Sequence, residues 1–85
     1  MYSVLIIDMA HYQEPDSEKV ITGFVTEEEA IVYARRRVRD SLTELRKPNQ
    51  SKEELRQLWA IYGEDALVIG TGYTVSDELD ILLES

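Results

Sequence analysis

The sequence holds 85 residues, with 17 Asp and Glu against nine Lys and Arg, one His, no Cys and a formal net charge of −8. A chain of this length forms a single small domain with a modest core, so we predict that residues 1–85 fold as one unit. The lack of cysteine excludes disulfides and thiolate zinc sites. The acidic balance argues against binding to DNA or to anionic membranes, because both depend on clusters of Lys and Arg.

The N-terminal segment predicts two paired strands. Tyr2–Asp8 contains the run Val-Leu-Ile-Ile, and a continuous apolar run predicts a strand buried on both faces. A polar loop over Met9–Lys19 and a second strand over Val20–Val25 follow, with Gly23 as a candidate bulge. The strands are too close in sequence for a crossover helix, so we expect an antiparallel pair. The first residues lack the basic start and cleavage site of a signal peptide, and we expect a cytoplasmic protein.

Two capping boxes predict two helices. Thr26–Glu29 and Ser51–Glu54 each place a hydroxyl three residues before a glutamate, the pattern that satisfies free N–H groups at a helix start. Apolar residues then recur at three- and four-residue steps in both segments, as one buried helix face requires. Pro48 ends the first helix, and Gly63 is placed as the C-terminal cap of the second.

The C-terminal part predicts a third strand and a short tail. Ala66–Ile69 is continuously apolar, and Gly70–Gly72 interrupts it without the remaining residues of a dinucleotide or Walker phosphate loop. Residues 73–83 fit either a fourth strand or a short helix that begins after Ser76. The predicted fold is α+β: a small sheet of three or four strands in the order β-β-α-α-β plus a tail, with two helices packed on one face.

Four arginines within five residues make a basic stripe in the first predicted helix. Asp40 lies three or four residues after Arg37 and Arg36, so these can form ion pairs along the helix. Arg35 and Arg39 have no acid at such a spacing, and they repel each other. We therefore predict a partner- or anion-binding surface at Arg35, Arg36 and Arg39. Three counterparts stay open: the protein's own acids, an acidic patch on a second copy, or an anionic ligand such as RNA.

One predicted loop collects Asp8, His11, Glu14 and Asp16. Three carboxylates and an imidazole suit a divalent metal, although their spacing matches no metal motif, and we expect a solvated turn. No set of residues resembles a nucleophile with its base, so the sequence predicts neither an enzyme nor a cofactor.

The aromatic residues of the second predicted helix follow its apolar spacing. Trp59 and Tyr62 share one face with Leu55 and Leu58, so we expect core or interface packing there. The alternative is a surface on which Trp59 and Tyr62, with Tyr33, stack a ligand.

The segment Gly23–Ala30, Gly-Phe-Val-Thr-Glu-Glu-Glu-Ala, resembles the strand-to-helix step of several small α+β modules. One of them is the N-terminal domain of HicB-type antitoxins, in which a Thr-x-Glu-Glu-Ala helix start follows a strand. The present chain lacks that family's Pro-Asp-Leu-Pro-Gly strand signature and has a second long helix. The resemblance therefore implies a strand-to-helix step and assigns no family.

Taken together, these patterns predict a non-catalytic, cytoplasmic protein-interaction module. A thin core, continuously apolar strands, an open sheet edge and the uncompensated basic stripe of an acidic chain favour a homodimer, with another protein as the other possible partner. Two alternatives remain: an anionic-ligand binder that uses Arg35 and Arg39, and a metal-dependent enzyme built on the loop from Asp8 to Asp16.

Overall fold

A four-stranded antiparallel sheet forms one layer of the protein in a computed structural model that describes residues 1–11 and 14–84. The strands lie in the order β2-β1-β3-β4, so β1 and β3 are central and β2 and β4 are edges. Their bounds are β1 Tyr2–Asp8, β2 Glu18–Phe24, β3 Glu64–Ile69 and β4 Tyr73–Thr74. The sheet confirms the predicted α+β class and the antiparallel pairing of the first two strands.

The β1–β2 pair contains the predicted irregularity. Tyr2 lies opposite Phe24 and Val4 opposite Ile21, so β2 carries one extra residue between these pairs. Gly23 has φ +98°, a backbone conformation that glycine adopts without strain, and the predicted bulge is confirmed. The predicted loop between the strands begins with a 3-10 turn over Met9–His11, and its residues 12 and 13 lie outside the described part.

Both helices begin at the predicted caps. In α1 (Glu27–Leu45) the Thr26 hydroxyl accepts a hydrogen bond from the N–H of Glu29 at 3.1 Å. In α2 (Lys52–Tyr62) the Ser51 hydroxyl accepts from the N–H of Glu54 at 3.0 Å. These bonds satisfy helix N–H groups that have no partner within the helix.

Gly63 ends α2, but not in the left-handed conformation that usually selects glycine. Its backbone is extended, with φ −90° and ψ −171°. A Cβ atom here would collide with the ring of Trp59, lie 2.8 Å from the Trp59 carbonyl oxygen and lie 3.0 Å from the Ser41 hydroxyl. Glycine is therefore required by close packing between α1, α2 and the start of β3.

The tail combines both predicted alternatives. After a turn in which Gly70 and Gly72 have positive φ, the two residues of β4 pair with Leu67 and Val68. A 3-10 turn over Val75–Glu78 then leads into a short helix, α3 (Leu79–Leu83). The tail therefore supplies both a short edge strand and a helix that closes one side of the core.

The core lies on one face of the sheet, between the sheet and the helices. Helix α1 packs on β1 and β3, while α2 packs against α1 and α3. The core side chains are buried and mostly aliphatic: Val4, Ile6, Ala30, Ala34, Val38, Leu42, Leu55, Trp59, Ala66, Val68, Val75, Leu79, Leu82 and Leu83. The two central strands, β1 and β3, send alternate residues into this cluster, as the pleat requires. The expectation that β1 is buried on both faces is wrong for the single chain, because its helices cover one face.

No helix in the described residues is both long and apolar enough to span a lipid bilayer.

Candidate functional site

The sheet face opposite the helices carries a set of aliphatic side chains that lie outside the core cluster. Val20 is 52% exposed and Ile69 is 44% exposed, and the rest are partly exposed. We call this surface the open face, and it consists of the aliphatic residues Leu5, Ile7, Val20, Leu67 and Ile69 together with Thr74. A contiguous apolar surface of this kind makes the open face a candidate interaction site.

The strand register arranges the open face around one transverse row. Leu5 lies opposite Val20 on one side and opposite Leu67 on the other, and Leu67 lies opposite Thr74. This middle row therefore crosses all four strands at mid-length, with neighbouring strands about 4.8 Å apart. The row offers a flat apolar strip rather than a pocket.

The two ends of the open face differ in charge. At one end Ile7 lies between Glu18 of β2 and Asp65 of β3. At the other end Ser3 lies opposite Ile69, so this pair carries no charged side chain. We call the first the acidic end and the second the neutral end. The continuous apolar run of β1 was the signal for this surface in the sequence, since it placed aliphatic residues on both faces.

Arg35 of the predicted basic stripe is held within the chain. Its guanidinium donates to both carboxylate oxygens of Glu78, at 2.9 and 3.0 Å, and to the Tyr73 hydroxyl at 3.0 Å. The bonds from Arg35 hold the pKa of the Glu78 carboxyl below its ordinary value, although burial acts against them. A forked pair of this kind fixes the orientation of the guanidinium, so Arg35 joins α1 to the C-terminal tail.

Arg37 makes the second forked pair. Its guanidinium donates to both carboxylate oxygens of Glu64 at 3.1 and 3.2 Å. Burial lowers the pKa of Arg37, but the bonds to Glu64 outweigh it and the pKa lies above its ordinary value. The predicted helix pairs with Asp40 do not form in the described residues, because Arg37 reaches the start of β3 instead.

Arg36 and Arg39 are exposed, and their side chains make no hydrogen bond or ion pair within the described chain. The structure thus separates the three predicted residues. Arg35 meets one of the protein's own acids, the first of the predicted counterparts, while Arg36 and Arg39 remain available on the outer surface of α1. A partner or anion at these two residues stays a prediction.

The predicted metal loop begins with a hydrogen-bonded pair. The ring Nδ1 of His11 lies 2.9 Å from Asp8 Oδ2, and Asp8 Oδ1 accepts from the N–H of Ala10 at 3.0 Å. The bond to Asp8 raises the pKa of His11 above its ordinary value, and it lowers the pKa of Asp8. Among residues 1–11 and 14–84, no group of three or more His, Asp or Glu side chains is placed to hold a metal ion.

A cleft of about 450 Å³ lies beside this pair. Asp8 and His11 line it together with Asp40, Glu44 and Tyr62, the last being 60% exposed. Arg37 and Glu64, which form a partly buried ion pair, also line it. The cleft is therefore a mixed-charge depression of the surface.

Only one of the two aromatic residues of α2 is in the core. Trp59 is 7% exposed, and its indole N–H donates to the Glu64 carbonyl at 2.9 Å. Leu55 is also buried and Leu58 is partly buried, as predicted. The prediction that Tyr62 packs beside them is wrong, because the chain leaves α2 at Gly63 and its last residue lies at the cleft instead.

No family model, curated protein or solved structure matches this chain.

Proposed function

We propose that this protein is a non-catalytic interaction module whose open face binds the open face of a second copy. The unpartnered aliphatic row across the sheet carries this proposal. Burial of such a surface is favourable by about 25 cal/mol per Å² of apolar area removed from water. The cysteine-free, acidic composition supports a cytoplasmic setting for the homodimer.

The size of the open face fits a weak dimer. The three longer strands, with six and seven residues, are roughly 20–24 Å long, and the two spacings between them span about 10 Å, while the two residues of β4 add a strip of roughly 7 by 5 Å. This footprint of roughly 250 Å² is smaller than the approximately 800 Å² per partner of a standard interface. We therefore expect a dissociation constant in the micromolar range.

The shape of the open face favours a second copy as the partner. Two sheets with the same twist stack face to face about 10 Å apart, with their strands nearly aligned. The middle row lies at mid-strand, so a two-fold axis can superpose the rows of both copies without leaving either row uncovered. A surface that is complementary to itself in this way needs no other partner.

Pairing through sheet edges is less favourable. Strand β4 has only two residues, and β2 is interrupted by the Gly23 bulge and carries Lys19. Bulges, charged side chains and short edge strands are the features that prevent edge pairing. The open face is therefore the better surface for self-association.

Two valines provide a matched test of this proposal. Val20 lies on the open face and is 52% exposed, while Val32 lies on the outer side of α1 and is 50% exposed. Val20→Glu is expected to raise the dimer dissociation constant at least tenfold, because it buries a charge at the interface. Val32→Glu adds the same charge and is expected to leave the constant unchanged. Sedimentation velocity across a concentration series measures both variants.

The salt dependence gives a further check. Each copy carries a formal charge of −8, so the copies repel each other and added salt is expected to strengthen the dimer. A wild-type protein that stays monomeric at several hundred micromolar overturns the proposal. Equal effects of Val20→Glu and Val32→Glu show that the dimer uses another surface.

A second candidate function is the binding of an anion at Arg36 and Arg39. These two side chains lie one helix turn apart and have no partner within the described chain. Amide chemical shifts during a titration with inorganic phosphate test it, with Arg36→Gln/Arg39→Gln expected to abolish the change. Lys47→Gln is the control, and a response that persists in the double variant contradicts this function.

A further inference from the structure

We infer that the two copies stack with their two-fold axis running across the strands, along the middle row, rather than parallel to the strands. This inference rests on the proposed homodimer and adds the orientation of the second copy. It follows from the position of Glu18 and Asp65 at one end of the open face.

With the strands of the two sheets nearly aligned, two face-to-face arrangements have two-fold symmetry. With the axis across the strands, each member of the middle row faces its own counterpart, and the acidic end of one copy covers the neutral end of the other. With the axis along the strands, β1 faces β3 of the second copy, β2 faces β4, and like ends meet. The middle rows are covered in both arrangements, so apolar burial does not decide between them.

Charge decides between them. An axis along the strands brings Glu18 and Asp65 of both copies to the same end, where side chains from sheets about 10 Å apart point toward each other. Four carboxylates would then lie in a partly desolvated space, where like charges repel strongly. An axis across the strands places the two acidic ends at opposite ends of the interface.

The separation gained in this way is large enough to matter. Ile7 and Ser3 mark the two ends and are four residues apart, or about 13 Å along the strand. This distance exceeds the screening length of roughly 8 Å at physiological ionic strength. The arrangement with the axis across the strands is therefore favoured.

Single cysteines distinguish the two arrangements, because the natural chain has none. Val20 and Thr74 occupy the two ends of the middle row. With the axis across the strands, Thr74 lies about 10 Å from Thr74 of the second copy, but roughly 17 Å from its Val20. With the axis along the strands these two distances are exchanged.

The experiment uses Val20→Cys and Thr74→Cys with a short bismaleimide reagent, each alone and as an equimolar mixture. We expect each variant alone to give a covalent dimer, and a mixture with differently sized tags to give little mixed product. Val32→Cys measures random coupling. If covalent dimer forms only between Val20→Cys and Thr74→Cys, the inferred axis is wrong and the homodimer still stands. The inferred axis is also wrong if Val20→Cys and Thr74→Cys give no more covalent dimer than Val32→Cys in a sample that sediments as a dimer. If the protein instead sediments as a monomer, the proposed homodimer itself is wrong.

Discussion

Replacement of Gly63 by alanine tests the tight junction between α2 and β3. The backbone at Gly63 has φ −90° and ψ −171°, which alanine adopts without strain. With free space around it, Gly63→Ala would stabilise the protein by about 0.4–1 kcal/mol, because alanine reduces the freedom of the unfolded chain. The sign of the measured change therefore reports on packing alone.

The surroundings of Gly63 leave no room for a methyl group. The added Cβ would collide with the Trp59 ring and lie 2.8 Å from the Trp59 carbonyl oxygen. That oxygen accepts the N–H of Gly63 at 2.8 Å, and the nearby Ser41 hydroxyl accepts the N–H of Glu64 at 2.9 Å. The neighbours cannot move without weakening these bonds. Overpacking of this kind costs about 1–3 kcal/mol, so we expect a net loss of roughly 1–2 kcal/mol.

The loss is measured by urea unfolding of wild type and Gly63→Ala. Trp59 is the sole tryptophan and reports the transition by fluorescence, while far-UV circular dichroism provides a probe that the added methyl does not affect directly. A loss of this size lowers the melting temperature by about 4–16 °C for a domain of this length. Gly63→Val is expected to be less stable still. A melting temperature that is unchanged or raised in Gly63→Ala refutes the packing account of this glycine.

Two further predictions concern ionised side chains. His11 is the sole histidine, and Asp8 raises its pKa above the ordinary 6.5, so the pair stabilises the folded state at acidic pH and this contribution disappears as the pH rises through the folded pKa. Titration of the ring protons by NMR is expected to show a lower pKa in Asp8→Asn, and an equal midpoint in both proteins contradicts the pairing. Arg37→Gln is expected to cost about 0.5–1 kcal/mol in urea unfolding, because it removes a forked, half-exposed ion pair. Arg36→Gln, which removes no hydrogen bond or ion pair of the described residues, is expected to stay within about 0.5 kcal/mol of wild type, and equal losses in the two variants would show that the pair contributes nothing.

Much of the fold was predictable because its signals are local. The hydroxyls of Thr26 and Ser51 bond to N–H groups three residues away, so the capping boxes located both helix starts. The bulge at Gly23 was also predictable, because glycine readily adopts positive φ. The tail after Gly72 could not be assigned to a strand or a helix from the sequence, because its short elements are stabilised by packing rather than by local pattern.

The candidate site was only partly predictable. The apolar run in β1 indicated aliphatic side chains on both faces, but not that the helices leave one face uncovered. The basic stripe was visible, yet the sequence did not show that Arg35 would meet Glu78 while Arg36 has no partner among the described residues. Tyr62 matched the apolar spacing of α2 and is nevertheless exposed. In each case the outcome depends on residues far away in the chain.

The sequence by itself determined the elements up to Gly72, their order and the acidic character, because alternation, helical spacing and caps involve residues a few positions apart. Tertiary structure alone decided which face of the sheet is covered, since that depends on where α1 packs after the chain has turned back. Tertiary structure also explains why residue 63 is glycine. Close contacts with Trp59 and Ser41 exclude a side chain there, although the backbone conformation would accept one. The physical reason is the separation in sequence between the interacting residues. Helix caps and local hydrogen bonds join residues within one segment, whereas the burial of a side chain depends on packing between segments that are distant in sequence.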